Sequence, residues 1–253
     1  IYSDELLITA LNIKLLIDSG YKISFIAKQN NQNLIRMIAD IKSHKNEKIS
    51  ETYYINKLIE SATTYNASLF HKTYNDAISQ FGITKLYQEI ILSTFSKVGI
   101  LWLTNRINPG QEHFLSELIK QKILASIETI SFKKRKSKNW LLFLPNNEHH
   151  EIGLIFAKLL LIQNGYEVIY LGANVPDESL IHISMKKKID NILLFSISNF
   201  SKKRLKQTIS MLNDRFKKSK TFLVSNLTME EHSNMGNQVN IISNIKDFLQ
   251  IIN

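Results

Sequence analysis

Trp140-Leu141-Leu142-Phe143-Leu144 is followed by Glu148-His149-His150-Glu151-Ile152-Gly153, and then by Leu154-Ile155-Phe156-Ala157-Lys158-Leu159-Leu160. The first run has the length and composition of a buried strand, and the last has the length of a helix. Between them lies a short polar loop. The alternation continues to the end of the chain. Strands are predicted at 140–144, 167–171, 191–196, 221–225 and 239–242, with helices at 151–164, 177–187, 201–218, 228–233 and 244–252. Five such strand–helix units predict a flavodoxin-like, doubly wound parallel sheet. Ligands of these sheets sit in the loops at the carboxyl ends of the strands. The loop after the first strand carries two imidazoles and two carboxylates. Imidazole is a common metal ligand, and a neighbouring carboxylate fixes its tautomer and basicity. The plain alternative is a solvated polar loop.

Upstream of the sheet the patterning is helical. Residues 131–139, Ser-Phe-Lys-Lys-Arg-Lys-Ser-Lys-Asn, read as a basic linker, a solvated connector before a DNA-backbone contact. Residues 51–130 read as a helical bundle with helices at 51–64, 67–81, 84–104 and 110–129. Its breaks fall near Thr64–Asn66, Gly82 and Asn108-Pro109-Gly110, short enough to make the helices antiparallel neighbours. The third helix repeats Leu86, Ile90, Ile91, Phe95, Val98 and Trp102 on or near one face. Residues 46–50 read as a linker. Residues 1–45 read as helices, the first capped by Ser3 or Asp4 and ended by Gly20.

Composition sets limits on this reading. The 253 residues are 44% hydrophobic, enough for two domains with real cores. There is no Cys, so disulfide frameworks, thiolate metal sites and thiol nucleophiles are excluded. No apolar run is long enough for a membrane helix, and the amino end is no signal peptide, so a cytoplasmic location is expected. The formal net charge of +10 is compatible with a nucleic-acid partner. The chain begins at Ile1 rather than Met and is expected to be part of something longer.

Glu148-x-His150-x-x-Gly153 resembles the Asp-x-His-x-x-Gly signature of cobalamin-binding domains, with Glu in place of Asp. The resemblance implies that His150 is the lower ligand of cobalt and therefore the metal-binding residue. It implies that Glu148 hydrogen-bonds the other ring nitrogen and that Gly153 lets the corrin approach the backbone. Trp102, nine residues, then Glu112-His113 resembles the signature of the four-helix cap in cobalamin-dependent, MerR-type photoreceptor repressors. Trp102 would then cover the upper face of the corrin, Glu112 would accept from the adenosyl ribose, and His113 would lie beside it. Without the loop at 148–153, Trp102 would read as core and Glu112-His113 as an ordinary helix start. Tyr2-Ser3-Asp4-Glu5-x-Leu7 and Gly20-Tyr21-Lys22-Ile23-Ser24-x-Ile26-Ala27 resemble the end of a MerR-family winged-helix domain whose recognition helix and wing would precede Ile1.

The remaining motifs of the family match less closely. Leu171-Gly172-Ala173-Asn174-x-Pro176 resembles its Leu-Gly-x-x-x-Pro and gives Gly172 a tight-turn role. Ser196-Ile197-Ser198 stands where it has Ser-x-Leu, which implies contacts from Ser196 and Ser198 to the cofactor's nucleotide base. Ser225-Asn226 replaces a Gly-Gly against which the nucleotide tail would lie, and side chains at Ser225 and beyond would crowd it. Leu103 stands where well-known members carry the His that takes the upper cobalt position after light cleaves the carbon–cobalt bond.

The resulting expectation has three parts: a winged-helix remnant at 1–45, a four-helix cap at 51–130 and a Rossmann-like domain at 139–253. Together they would form the sensory region of a MerR-family regulator. It would bind cobalamin, adenosylcobalamin first and methylcobalamin second, without substrate turnover. Its partners would be DNA, through the full-length protein, and further copies of itself in a dimer or tetramer. The rivals are a B12 fold that has lost its cofactor, a corrinoid methyltransferase module, and a zinc hydrolase built on His113, His149 and His150.

Overall fold

A computed structural model describes residues 4–131, 136–198, 202–228 and 239–253, with Lys202 described by its backbone alone. Tyr2 and Ser3, the centre of the basic linker and most of the helix expected at 228–233 lie outside these residues. The chain forms two compact units, Ile1–Leu118 and Ile119–Asn253.

The first unit is helical. It comprises α1 (Asp4–Asp18), α2 (Ile23–Ile26), α3 (Asn31–Ile41), α4 (Glu47–Thr63), α5 (Ala67–Lys85), a π-helical stretch at Leu86–Ile91, α6 (Leu92–Leu103) and the start of α7 (Pro109–Glu128). Leu15, Leu16, Ile26, Ile38 and Ile41 form one core, and Ile49 and Tyr53 of α4 pack against it. The three short helices are therefore built onto α4. The linker expected at 46–50 is instead the start of that helix. Asn46 caps it by accepting from the Lys48 amide (3.1 Å), and the Ser50 hydroxyl donates to the Lys42 carbonyl (2.6 Å). A polar composition read as connector thus supplies a cap and a tie. The break expected at Gly82 is present, with φ 73° and ψ 163° inside α5. A side chain there would be strained, which is why glycine marks the bend.

The second unit holds five parallel strands: β1 (Asn139–Pro145), β2 (Glu167–Val175), β3 (Asn191–Ser196), β4 (Lys220–Ser225) and β5 (Val239–Ile241), in the order β2-β1-β3-β4-β5. Helices α8 (Ile152–Gln163), α9 (Asp177–Lys186), α10 (Lys202–Arg215) and α11 (Ile245–Ile252) follow the strands. Leu141, Phe143, Ile192 and Leu194 share a core with Leu180 of α9 and Leu205, Ile209 and Leu212 of α10. On alternate positions Trp140, Leu142 and Leu144 are also buried, Trp140 stacking on Phe222 at 5.1 Å. Covering on both faces explains why the strands are continuous apolar runs rather than alternating ones. Strand β2 continues to Val175, beyond the expected end at 171. Its pairing with β1 slips between Leu142↔Tyr170 and Phe143↔Gly172. Gly172, at φ +80°, therefore serves a bulge inside the strand rather than a turn after it. Among the described residues no helix is long and apolar enough to cross a membrane.

Candidate functional site

The strand order reverses direction between β1 and β3, which opens a crevice at their carboxyl ends. The loop Asn146–Glu151 leaves β1 there and is fastened on both sides. Towards β2, the Asn174 amide donates to the Glu148 carbonyl (3.1 Å), and the Asn147 amide donates to Asn174 Oδ1 (2.7 Å). Towards β3, the fastening is the Glu148 side chain itself. Its Oε2 accepts from the Ile197 amide (2.7 Å), the Ser198 amide (2.8 Å) and the Ser198 hydroxyl (2.8 Å). Its Oε1 accepts from the amides of His149 (2.9 Å) and His150 (3.1 Å) and meets His150 Nδ1 at 2.6 Å.

Glu148 is fully buried, yet it is held as the anion. Burial pushes its pKa upward, but the donors outweigh burial. The Ser198 amide, the His150 ring, the Ser198 hydroxyl and the His150 amide together bring it from 4.5 to about 2. An ionised carboxylate can only accept, so the proton of this contact sits on His150 Nδ1. In the neutral imidazole the lone pair is then on Nε2. The His150 side chain is 61% exposed, so that nitrogen is presented outward on a ring whose tautomer and direction are already set.

Glu151, one residue on, accepts from the Tyr170 hydroxyl at Oε1 (2.7 Å) and pairs through Oε2 with Lys120 Nζ (2.7 Å). Burial, and then the bond to Glu151, raises the Tyr170 pKa. Lys158 Nζ stands 5.0 Å from the Tyr170 ring centroid. The loop is thus held at both ends, by Glu148 and by Glu151. Among the described residues no group of three or more His, Asp or Glu side chains is placed to hold a metal ion. What the loop offers is a single outward-facing nitrogen donor, Nε2 of His150.

The other expected residues are placed as follows. A Cβ on Gly153 would lie 2.6 Å from Phe195 Cε2, so the close approach that requires glycine here is the Phe195 ring. Ser196 is buried at the end of β3, opposite Ser225 of β4. Ser198 donates to Glu148 through both its amide and its hydroxyl. The Asn226 amide group donates to the Ile197 carbonyl (2.8 Å), so the position of the family's second glycine holds a side chain that ties two strand ends.

Trp102, Glu112 and His113 flank the turn between α6 and α7 in the helical unit. Val98 is 1% exposed, whereas Trp102, one turn later, is 53% exposed. The buried stripe therefore stops before the indole, and Leu103 beside it is also exposed. Glu112 accepts from the Ser116 hydroxyl and lies 3.5 Å from His113 Nδ1. The turn is fixed by a reciprocal cap. Asn108 Oδ1 accepts from the Gln111 amide (3.0 Å), and Gln111 Oε1 accepts from the Asn108 amide (2.9 Å). Buried Gln111 also donates to the Thr63 carbonyl (2.9 Å). Sequence reading missed Gln111, Lys120 and Tyr170, and it gave Glu151 no partner. The spacing of Asn108 and Gln111 around Pro109 was a usable signal for the cap. Nothing local pairs Lys120 with Glu151.

Residues 54–125 match the family described as B12 binding domain. The chain is 21% identical over 214 residues to the HTH-type transcriptional repressor CarH of Myxococcus xanthus, covering 83% of this chain and 71% of that protein. It is 24% identical over 123 residues to the HTH-type transcriptional repressor CarA of the same organism, covering 49% and 41%. The monomethylamine corrinoid protein of Methanosarcina barkeri superimposes with a TM-score of 0.59 at 15% identity, over 78% of this chain and 96% of that one, and shares its fold. The chain thus carries a B12-binding domain related in sequence to the two repressors, in the fold of a helical part followed by a five-stranded parallel sheet.

Proposed function

We propose that the chain is the cobalamin-binding sensory region of a MerR-family transcriptional regulator, with adenosylcobalamin as its ligand. In this reading residues 1–45 end a winged-helix domain, 51–130 form the cap and 139–253 bind the cofactor's lower side. The observation that carries it is the His150 ring, held by a buried anion at the β1/β3 crevice with Nε2 outward. The relation to two HTH-type repressors supports the regulatory part, and with it a DNA partner for the full-length protein.

When bound, the corrin would supply a cobalt centre able to take a nitrogen donor. The chain's residues then divide the work. His150 donates through Nε2. Glu148 keeps the proton on Nδ1 and withdraws it from competition for the donor nitrogen. Glu151, with Lys120 and Tyr170, holds the far end of the loop. Trp102 offers an exposed flat ring for the upper side, with Glu112 and His113 across the turn. Leu103 has no donor atom, so an upper histidine ligand at that position is ruled out, and light response would have to run through another group. No step in this scheme turns over a substrate.

A second reading is a regulator that keeps the fold without the cofactor. The Asn226–Ile197 bond favours it, because it fills the place where a nucleotide tail would pass. The two separate in one experiment. Adenosylcobalamin is added in the dark, excess is removed, and the absorbance of the retained corrin is recorded beside His150→Ala. The proposal expects retained bands with a base-off shift that the variant loses. A chain that folds normally and retains no corrin would establish the second reading.

A further inference from the structure

The net charge is not shared between the two units. Residues 119–253 hold 20 of the 32 Lys and Arg and 11 of the 22 Asp and Glu, which leaves this unit at +9 and the helical unit at +1. Parallel pairing collects much of that charge at one end. Trp140 pairs with Asn191, and Asn191 with Lys220, so β1, β3 and β4 begin at one level. The segments just before them are basic: Lys138 before β1, three consecutive lysines at 186–188 before β3, and Lys217 and Lys218 before β4. All are exposed.

Their backbone is stitched together. The Asn139 side chain donates to the Lys188 carbonyl (2.9 Å), the Ser219 hydroxyl to the Ile189 carbonyl (2.6 Å), and the Lys220 amide to the Asp190 carbonyl (2.9 Å). Asp190, an acid within the cluster, is committed to the Asn139 amide (3.1 Å) and lies 3.9 Å from Lys188 Nζ. Lysines at helix ends offset helix dipoles, but only Lys186 lies in the last turn of a helix. Lys187 follows as the C-cap of that helix, while Lys138, Lys188, Lys217 and Lys218 lie outside the helices.

We infer that the amino-terminal edge of the sheet, opposite the His150 crevice, is a second binding surface that takes the phosphate backbone of duplex DNA without reading its sequence. A row of lysines on a fixed backbone suits a regular array of phosphates. Among the described residues the edge shows no free exposed aromatic ring on which single-stranded bases could stack, since Tyr166 there is engaged with Trp140 and Lys136. Its exposed large apolar side chains among the described residues are Met185 and, at the end of α11, Ile251, too little to anchor in a lipid surface. The choice of DNA among duplexes rests on the regulator reading, but the surface does not depend on cobalamin. The corrin spectrum therefore fails or succeeds separately from the test below.

The test uses the 253-residue chain, a labelled random duplex of about 30 base pairs, and anisotropy between about 50 and 200 mM salt. The edge variant combines Lys187→Gln, Lys188→Gln, Lys217→Gln and Lys218→Gln. The control removes the same charge away from this edge and from residues 1–45, through Lys72→Gln in α5, Lys203→Gln and Lys206→Gln in α10 and Lys246→Gln in α11, all exposed. The edge variant should bind about tenfold or more weakly, with a log–log salt slope shallower by about 3, while the control keeps the wild-type slope. Equal loss in both variants would mean bulk charge alone and overturn the proposal. So would an unmodified chain that ignores the duplex, or one that prefers single-stranded RNA or phosphatidylserine vesicles.

Discussion

Among the described residues each unit of the molecule buries one glutamate, and the two are held in different ways. Glu51, in α4, is held by ammonium groups, Lys48 at 3.0 Å and Lys85 at 3.5 Å, both on long side chains that reach in from the surface. Glu148 is held by backbone amides, a hydroxyl and an imidazole, with no lysine or arginine among its contacts. The first arrangement neutralises a charge and leaves its surroundings adaptable. The second leaves an anion whose donors are parts of the fold, so the anion can dictate the geometry of the one mobile ring it touches. Holding by charge serves the stability of a helix bundle. Holding by oriented dipoles serves a site.

The difference can be tested in order of effect. Glu148→Gln should cost the most, about 3 kcal/mol at neutral pH, because the amide brings donors to face the Ile197 and Ser198 donors. The sign with pH follows from the lowered pKa. Stability from Glu148 is fully present above 4.5 and lost as pH falls from there through about 2, so the gap between wild type and variant should close over that window in urea melts. A constant gap would place the cost in packing. Gly153→Ala should cost about 2 kcal/mol, since its Cβ enters the Phe195 ring without touching any Glu148 donor. Adding Phe195→Leu should recover much of it, and absence of recovery would move the conflict to the backbone. Glu51→Gln should cost least, about 1 kcal/mol, and the cost should shrink towards about 1 M salt. An effect as large and as salt-insensitive as that of Glu148 would abolish the distinction.

Much of this was legible in the sequence because it is local. The strand starting at Asn191, the bend at Gly82 and the pairing of Glu148 with the ring two residues later all follow from short spacing. The rest was hidden because it depends on which strands become neighbours. Ser198 could be seen as a strand-end serine, but its grip on Glu148 exists only once β3 lies beside β1. Gly153 invited a ligand explanation because Phe195, its actual neighbour, is remote in sequence. The polar stretch 46–50 looked like a connector because composition records hydrophilicity and not capping; its Asn46 is a helix cap. Trp102 fitted a helical stripe whose burial ends one turn before it.

The four amides that end on the Glu148 carboxylate come from two loops distant in sequence, His149 and His150 from one, Ile197 and Ser198 from the other. None of these protons can be released to water without disturbing the acceptor that serves the other three. They belong to one opening event rather than four, and the crevice rim breathes as a unit. The ring that offers Nε2 is therefore aimed from a carboxylate that two separate loops hold in place.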